Sequence, residues 1–145
     1  MAATRKSTTI WEGNLLSGNG VLTLDSSGVG GGFPVTWAAR TEGPSGKTSP
    51  EELLAGSQAS CYAMALSHTL AQQGTPPQRL QVTAACTFDP AQGKVTTMEI
   101  HVRGRVPGMD QAAFAEVASK GEQGCPIANA LRGNVEIRLT AELES

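Results

Sequence analysis

Aromatic side chains are scarce in this chain of 145 residues: they make up 4% of it, with one Tyr, two Trp and three Phe. Large aromatic residues supply much of the area that a core buries. A chain with few of them and 17 glycines has to build its core from small side chains and closely approaching backbones. We therefore expect part of the apolar surface to be buried against a second copy of the chain.

Positive charge and long apolar runs are also missing. The net charge is −2 and the pI is about 5.6, which predicts neither a nucleic-acid partner nor binding to an anionic membrane surface. No apolar run approaches the ~20 residues of a spanning helix, and residues 1–7 have two positive charges without the apolar segment of a secretory signal. We expect a cytoplasmic protein.

The size and composition predict a single folded domain over residues 1–145. Hydrophobic residues make up 39% of the chain and charged residues 17%, a balance typical of a globular protein. A chain of this length has room for one ordinary domain.

Residues 8–40 predict three strands. Turn residues at 17–20 separate the first two. The glycine-rich stretch 26–32 is a loop, because it lacks the Lys-Ser/Thr that ends a phosphate-binding loop. The third extended segment is predicted over residues 33–40.

The next element is the most clearly marked helix of the chain. Ser49 is a good N-cap, Pro50 suits the first helical position and Glu52 completes a capping box. The pattern predicts a helix that runs to about Gln73. Its middle has few charges on any side, which predicts a long central helix buried nearly all round.

The remaining sequence predicts two more strands, a helix and a closing strand. The strands are predicted at 80–88 and 94–105, and Asp110 caps the helix that follows. A short helical turn begins at Pro126, and apolar residues alternate over 135–143. The predicted order is βββ–α–ββ–α–β, an α+β domain.

Three cysteines in a reducing compartment point to redox or catalytic thiols, because structural disulfides are rare there. Cys61 lies mid-helix in an apolar run, where it could equally be an inert structural cysteine unless a cation lies nearby. Cys125 precedes Pro126 at the start of a helix. This setting favours a thiolate more strongly than the apolar setting of Cys61 does. Cys86 lies on the apolar face of a strand and is predicted to be core.

Other thiol and metal chemistry is poorly supported. His68 follows Cys61 by seven residues, roughly 10 Å along the helix, so it is out of reach as the base of a thiol hydrolase. His101 is predicted on an exposed strand position. Three separated cysteines and two isolated histidines match no ligand spacing, so we expect no metal and no cofactor.

Two cysteine motifs resemble those of the OsmC/Ohr family, the osmotically inducible proteins C and organic hydroperoxide resistance proteins. Residues 48–55 (TSPEELLA) and 59–67 (ASCYAMALS) resemble its central-helix motif. Residues 124–131 (GCPIANAL) look like its second cysteine motif, at a matching distance. Residues 11–13 (WEG) and 40–43 (RTEG) are similar to the OsmC branch, and the resemblance covers essentially the whole chain.

This resemblance implies an intertwined homodimer with active sites at the subunit interface, acting as an antioxidant, stress-response oxidoreductase. Organic hydroperoxides would be reduced to alcohols. The cysteine matching Cys61 would attack the peroxide and become a sulfenate, and the one matching Cys125 would resolve it as a Cys61–Cys125 disulfide. An external dithiol, of the lipoyl type in the family, would recycle the pair.

The resemblance also implies a supporting arginine and glutamate. The glutamate matches Glu51. The arginine of the Ohr branch lies in the N-terminal hairpin, where this chain has Asn19, whereas that of the OsmC branch lies in the third strand, which here offers Arg40. A guanidinium would hold Cys61 as thiolate. Glu51 and Cys61 are separated by roughly 15 Å along one helix, so either Arg40 bridges them or the partner chain supplies Glu51; we expect the second.

Two alternatives stay open. The same dimer could be a non-catalytic module that binds a small ligand or senses redox state, or the fold could be purely structural with incidental thiols. Turnover with a dithiol would distinguish a peroxidase from the non-catalytic module. The accessibility of the thiols would distinguish that module from the purely structural fold. For a peroxidase we expect an apolar pocket near Cys61, lined by Leu54, Met64 and Phe33.

Overall fold

A computed structural model describes residues 1–144 and confirms the α+β class. The strands are β1 Thr8–Glu12, β2 Asn19–Thr23, β3 Gly32–Val35, β4 Arg79–Asp89, β5 Lys94–Arg105 and β6 Glu136–Leu143. The helices are α1 Trp37–Thr41, α2 Pro50–Gln72, α3 Gln111–Gln123 and α4 Pro126–Leu131. Within these residues, no helix combines the length and the apolar character needed to cross a membrane.

The chain divides into two compact units, Met1–Leu53 and the residues from Leu54 onward. The first unit contains an antiparallel sheet in the order β1-β2-β3. Its strands leave apolar side chains uncovered within the chain: Ile10 and Val21, which are register partners, are 65% and 45% exposed. The prediction of one domain over residues 1–145 stays a prediction.

The third strand is shorter than predicted, and a helix follows it. β3 ends at Val35, and the Thr36 hydroxyl then caps α1 by accepting a hydrogen bond from the backbone N–H of Ala39 (3.1 Å). The expectation that Arg40 lies in a strand is therefore wrong, because this cap and the alanines after it favour a helical turn. Arg40 lies in the last turn of α1.

The predicted start of α2 is confirmed. The Ser49 hydroxyl accepts a hydrogen bond from the backbone N–H of Glu52 (3.2 Å), and Pro50 is the first helical residue. The predicted capping box is only half formed, because the Glu52 carboxylate accepts a hydrogen bond from the Thr48 hydroxyl (2.5 Å) rather than from the backbone N–H of Ser49. The helix ends at Gln72, one residue before the predicted end.

Within a single chain, the burial of α2 is confined to one face. The fully buried residues Gln58, Tyr62, Leu66 and Leu70 recur every four positions, as expected of one helical face. Met64, which is not on this face, is 70% exposed. The predicted burial on nearly all sides would therefore need a second copy of the chain.

The second unit contains a sheet in the order β4-β5-β6. β4 and β5 are antiparallel, whereas β5 and β6 are parallel and are paired from Thr97 with Glu136 to Gly104 with Leu143. A parallel pair needs a crossover connection, which α3 and α4 form here. The buried core includes residues from α2, β5, α3 and α4 together with Cys125, which directly precedes α4. Among its members are Tyr62, Leu66, Leu70, Met98, Ile100, Val102, Phe114, Val117 and Ala128.

Glycines allow close packing in this unit. A Cβ atom at Gly121 of α3 would lie 3.1 Å from the Cα of Leu66 in α2. A Cβ atom at Gly104 of β5 would lie 2.5 Å from the ring of Phe114. The expectation of closely approaching backbones is confirmed at the first contact, and both positions exclude larger side chains.

Candidate active site

A charged pair lies in the first unit. The Arg40 guanidinium donates hydrogen bonds from Nε to both carboxylate oxygens of Glu51 (3.0 and 3.1 Å) and from Nη2 to Oε1 (2.8 Å). The Glu51 side chain is only 9% exposed and that of Arg40 29%. Forked contacts of this kind fix orientation as well as charge. The structure thus brings together two of the four predicted site residues.

The local structure explains how this pair is positioned. Arg40 belongs to the last turn of α1, with its guanidinium 5.8 Å from the ring centroid of Trp37. Glu51 is the second residue of α2, where a helix dipole favours a carboxylate. Trp37 and Glu51 therefore constrain the guanidinium.

An apolar cavity of about 360 Å³ adjoins Arg40 in the first unit. Its lining is mostly aliphatic and aromatic, with the Arg40 side chain as its charged member. The lining residues are Thr9, Trp11, Leu15, Leu22, Val35, Thr36, Trp37, Arg40, Pro50 and Leu53. A cavity of this character suits an apolar molecule with a polar end.

The second unit brings together the other two predicted site residues. Cys61 and Cys125 are free thiols, and their side chains form a hydrogen bond with each other. Cys125 is the residue before α4, and Pro126 is the first residue of that helix, as predicted. The backbone N–H of Ile127 donates a hydrogen bond to the sulfur of Cys61. The start of α4 therefore lies against the middle of α2.

The two thiols differ in access. Cys125 is fully buried, whereas Cys61 is half-buried and lines a cavity of about 520 Å³. Of the pocket residues expected from the sequence, Met64 lines this cavity. Leu54 instead packs against the core, and Phe33 lies in the first unit beside Gly30. The other lining residues are Ser57, Ser60, Ala65, Gly124, Pro126 and Ile127.

The surroundings of Cys61 within this unit favour the protonated thiol. Burial raises the pKa of Cys61 above its ordinary value, and the Ile127 N–H opposes this by lowering it in part. The hydrogen bond with Cys125 and the charge of that residue raise the pKa further. A reactive Cys61 thiolate therefore needs a cation in addition to these neighbours.

One residue that contacts the thiols was not singled out from the sequence. Gln58 is fully buried, and its Nε2 donates a hydrogen bond to Sγ of Cys125 (3.3 Å). Its Oε1 has no hydrogen-bond partner in the described part of the chain. Its neighbours Ser57 and Ser60 are also polar, so no local signal in the sequence singles out Gln58.

Three further polar contacts hold the segment around Cys125. The Tyr62 hydroxyl donates to the carbonyl oxygen of Ala118 (2.8 Å), and burial raises the pKa of Tyr62, with nearby Glu122 and Cys125 adding to the shift. Arg132 of the α4 C-cap binds the Glu122 carboxylate at 2.7 Å. The backbone N–H of Cys125 donates to the Glu122 carbonyl (3.1 Å).

The histidines lie elsewhere. His101 on β5 contacts the Glu142 carboxylate of β6 at 2.6 Å, and its side chain is 41% exposed. His68 is exposed on α2. Across residues 1–144, no three His, Cys, Asp or Glu side chains are grouped so that they could hold a metal ion.

A central helix that presents one thiol to a second thiol at the start of another helix defines a thiol-based redox protein. Residues 43–140 match the model of the OsmC family, described as OsmC-like protein. The chain belongs to this family, which confirms the resemblance of its cysteine motifs.

Individual relatives agree with this assignment. The chain is 33% identical over 147 aligned positions to the peroxiredoxin OsmC of Escherichia coli, with all of both chains covered. It is 32% identical over 94 positions to an organic hydroperoxide resistance protein of Xanthomonas axonopodis pv. citri, covering 64% of this chain and 66% of that protein. The crystal structure of an organic hydroperoxide resistance protein from Elizabethkingia anophelis is similar with a TM-score of 0.76 and 26% identity, covering 99% of each chain.

Proposed function

We propose that this protein is a cysteine-based peroxidase that reduces organic hydroperoxides to alcohols. The cycle passes through a Cys61 sulfenate and a Cys61–Cys125 disulfide, and an external dithiol restores the thiols. The observation that carries the proposal is the direct contact between the two thiols, with one reachable from a cavity and the other buried. Relatives named as peroxiredoxin and as organic hydroperoxide resistance proteins support the reaction class.

In the first step the Cys61 thiolate attacks the distal oxygen of the hydroperoxide. A sulfur–oxygen bond forms, the oxygen–oxygen bond breaks, and the alkoxide takes up a proton and leaves as alcohol. In the second step the sulfenic acid condenses with Cys125, forming the disulfide and releasing water. The contact between the side chains supports this step, since a disulfide needs close approach of its two residues.

The raised pKa of Cys61 makes a cation necessary for the first step, and Arg40 is the proposed source. We infer a homodimer in which the Arg40–Glu51 pair of the partner subunit completes the site. Within one α2 helix, Glu51 and Cys61 are separated by roughly 15 Å, which argues against direct contact in one chain. The exposure of Met64 on α2 and of Ile10 on β1 supports a second copy covering these faces.

The apolar cavity beside Arg40 supports an organic substrate. An alkyl group would lie against side chains such as Trp11 and Leu22 while the peroxide oxygens face the guanidinium. Hydrogen peroxide has no alkyl group and would forgo this contact. We therefore infer selectivity for alkyl or lipid hydroperoxides, with residues 1–145 acting as one functional domain.

The test is consumption of cumene hydroperoxide and of hydrogen peroxide with dihydrolipoamide as reductant. We expect the wild type to consume cumene hydroperoxide faster than hydrogen peroxide. Cys61→Ser should show no turnover, and Cys125→Ser should lose the turnover that depends on the dithiol. Cys86→Ala is the matched control, because Cys86 is a third cysteine on β4 outside the thiol pair, and it should keep full activity. Full peroxidase activity in Cys61→Ser would refute the mechanism.

One observation favours a second candidate, a dimer that binds a small ligand without turnover. Within the second unit burial raises the pKa of Cys61, as it does for an inert structural thiol. A folded, reduced protein that consumed no hydroperoxide with any dithiol would favour this binding function.

A further inference from the structure

We infer that the reductant attacks Sγ of Cys61 in the oxidised protein and that Cys125 leaves as a thiolate stabilised by the side-chain amide of Gln58. This inference rests on the proposed peroxidase cycle and assigns the direction of its recycling half. It also assigns Gln58 a catalytic contact, because the amide touches one of the two reacting sulfur atoms.

Access selects the sulfur that is attacked. Thiol–disulfide exchange requires the incoming thiolate to reach one sulfur from outside. Cys125 is 0% exposed, whereas Cys61 lines the cavity of about 520 Å³ between α2 and α4. Ser57 and Ser60, whose side chains are short, also line this cavity and leave room for a reductant. Since Cys125 is already fully buried within one chain, a second copy cannot expose it, and the remaining approach is to Cys61.

The leaving sulfur also has a dedicated donor. Gln58 directs Nε2 toward Sγ of Cys125 at 3.3 Å and leaves its own Oε1 without a partner in the described residues. Leaving the buried Oε1 of Gln58 unpaired is costly. If the amide were turned round, Oε1 would face Cys125 and could accept a hydrogen bond from its thiol. The arrangement therefore places an amide donor on the sulfur that would leave as a thiolate, a species that accepts hydrogen bonds and donates none.

The charge of Glu122, a carboxylate close to Cys125 in the sequence, is compensated by an ion pair. Glu122 precedes Cys125 by three residues, and its negative charge would disfavour a thiolate. Arg132 binds this carboxylate at 2.7 Å and so compensates it. The local charges therefore leave the amide of Gln58 as the group that acts directly on the leaving sulfur.

Reduction of the Cys61–Cys125 disulfide by the dithiol takes two exchange steps. A thiolate of the dithiol forms a bond with Sγ of Cys61, the Cys61–Cys125 bond breaks, and Cys125 takes the electron pair. The second thiol of the reductant then attacks the reductant's own sulfur in this mixed disulfide and releases Cys61. The dithiol is oxidised to its cyclic disulfide, the protein is reduced, and the two protons of the dithiol end on Cys61 and Cys125.

The first test is to locate the mixed disulfide in the unmodified protein. The protein is oxidised with one equivalent of cumene hydroperoxide, treated briefly with the monothiol N-acetylcysteamine and quenched with N-ethylmaleimide. Cleavage after Lys47, Arg79, Lys120 and Arg132 would place each cysteine on its own peptide. We expect the probe on the Cys61 peptide and maleimide on the Cys125 peptide; the reverse pattern would overturn the inference.

The second test measures the contribution of Gln58. Gln58→Met keeps an unbranched side chain of similar size without the donor, and it should slow disulfide reduction roughly tenfold. Gln72→Met, at an exposed position of the same helix, is the matched control. Equal rates of reduction for Gln58→Met and the wild type would overturn the role of the amide.

These outcomes are distinct from failure of the peroxidase proposal. A protein that forms no Cys61–Cys125 disulfide with peroxide refutes the proposed function before the trapping step. A protein that forms the disulfide and carries the probe on Cys125 keeps the peroxidase and refutes only this inference. The trapping experiment needs no variant, so it remains decisive even where Gln58→Met fails to fold.

Discussion

Neutralising Glu51 is the most informative perturbation of the proposed site. Glu51→Gln keeps the shape of the side chain but replaces one of the two acceptor oxygens of the forked pair with an amide donor. In the wild type, Nε of Arg40 donates to both carboxylate oxygens of Glu51, at 3.0 and 3.1 Å, and Nη2 donates to Oε1 at 2.8 Å. The variant therefore loses both the charge and the fixed orientation of the guanidinium.

The size of the effect follows from these contacts. A hydrogen bond to a charged group contributes about 1.5–3 kcal/mol, and the 29% exposure of Arg40 argues for the lower end because water screens the pair. A barrier increase of about 1.4 kcal/mol is a tenfold loss of rate. We expect Glu51→Gln to lower kcat/KM for cumene hydroperoxide by about tenfold. Arg40→Met, which removes the cation, should lower it by about a hundredfold or more.

The assay is hydroperoxide consumption with excess dithiol, together with thermal unfolding to confirm that each variant is folded. Glu52→Gln is the matched control: it neutralises the neighbouring carboxylate, which contacts the Thr48 hydroxyl and belongs to the helix cap. We expect this control to keep its activity. Full activity in a folded Glu51→Gln protein would refute the argument that the carboxylate positions Arg40.

Three further predictions concern the second unit. Tyr62→Phe should lower the free energy of unfolding by about 1–3 kcal/mol, measured in urea, because it leaves the Ala118 carbonyl without its donor. Because the pKa of Tyr62 is raised, the folded protein holds the phenol proton more tightly than the unfolded chain does. The associated stability is present below the unfolded pKa of about 10 and is lost as the pH rises above it. A profile of unfolding free energy from pH 8 to 11 that is identical in the wild type and Tyr62→Phe would contradict this. Gly104→Ala should cost about 1–3 kcal/mol because its Cβ would lie 2.5 Å from the buried ring of Phe114, whereas Gly43→Ala, with nothing within 4 Å, should be near neutral; equal melting temperatures for the two would refute the packing argument.

The sequence predicted the elements whose causes are local. Hydrogen bonds within three residues start α2 at Ser49 and α3 at Asp110. Alternation of apolar residues located β4, β5 and β6, whose burial alternates as expected over most of their length. Helix α1 was not predicted, because residues 33–40 were interpreted as one extended strand rather than as a strand followed by a helix that Thr36 caps.

The sequence proposed four site residues, partly from motifs and partly from local chemistry. The contact between Cys61 and Cys125 is present, and so is the pairing of Arg40 with Glu51. Gln58 could not be assigned from the sequence, because its partner Cys125 is 67 residues away and no local pattern links the two. The supply of the charged pair by the partner subunit stays a prediction.

The sequence by itself determined the helix caps, the strand pattern and the presence of two cysteines in recognisable settings, because these depend on neighbours a few residues apart. Only the tertiary structure decided that β5 and β6 pair in parallel, that Cys125 is buried while Cys61 is reachable, and that Gln58 faces the Cys125 sulfur. These features depend on segments that are distant in the chain. Burial and hydrogen bonding set the reactivity of a thiol, so its chemistry is established only when those segments meet.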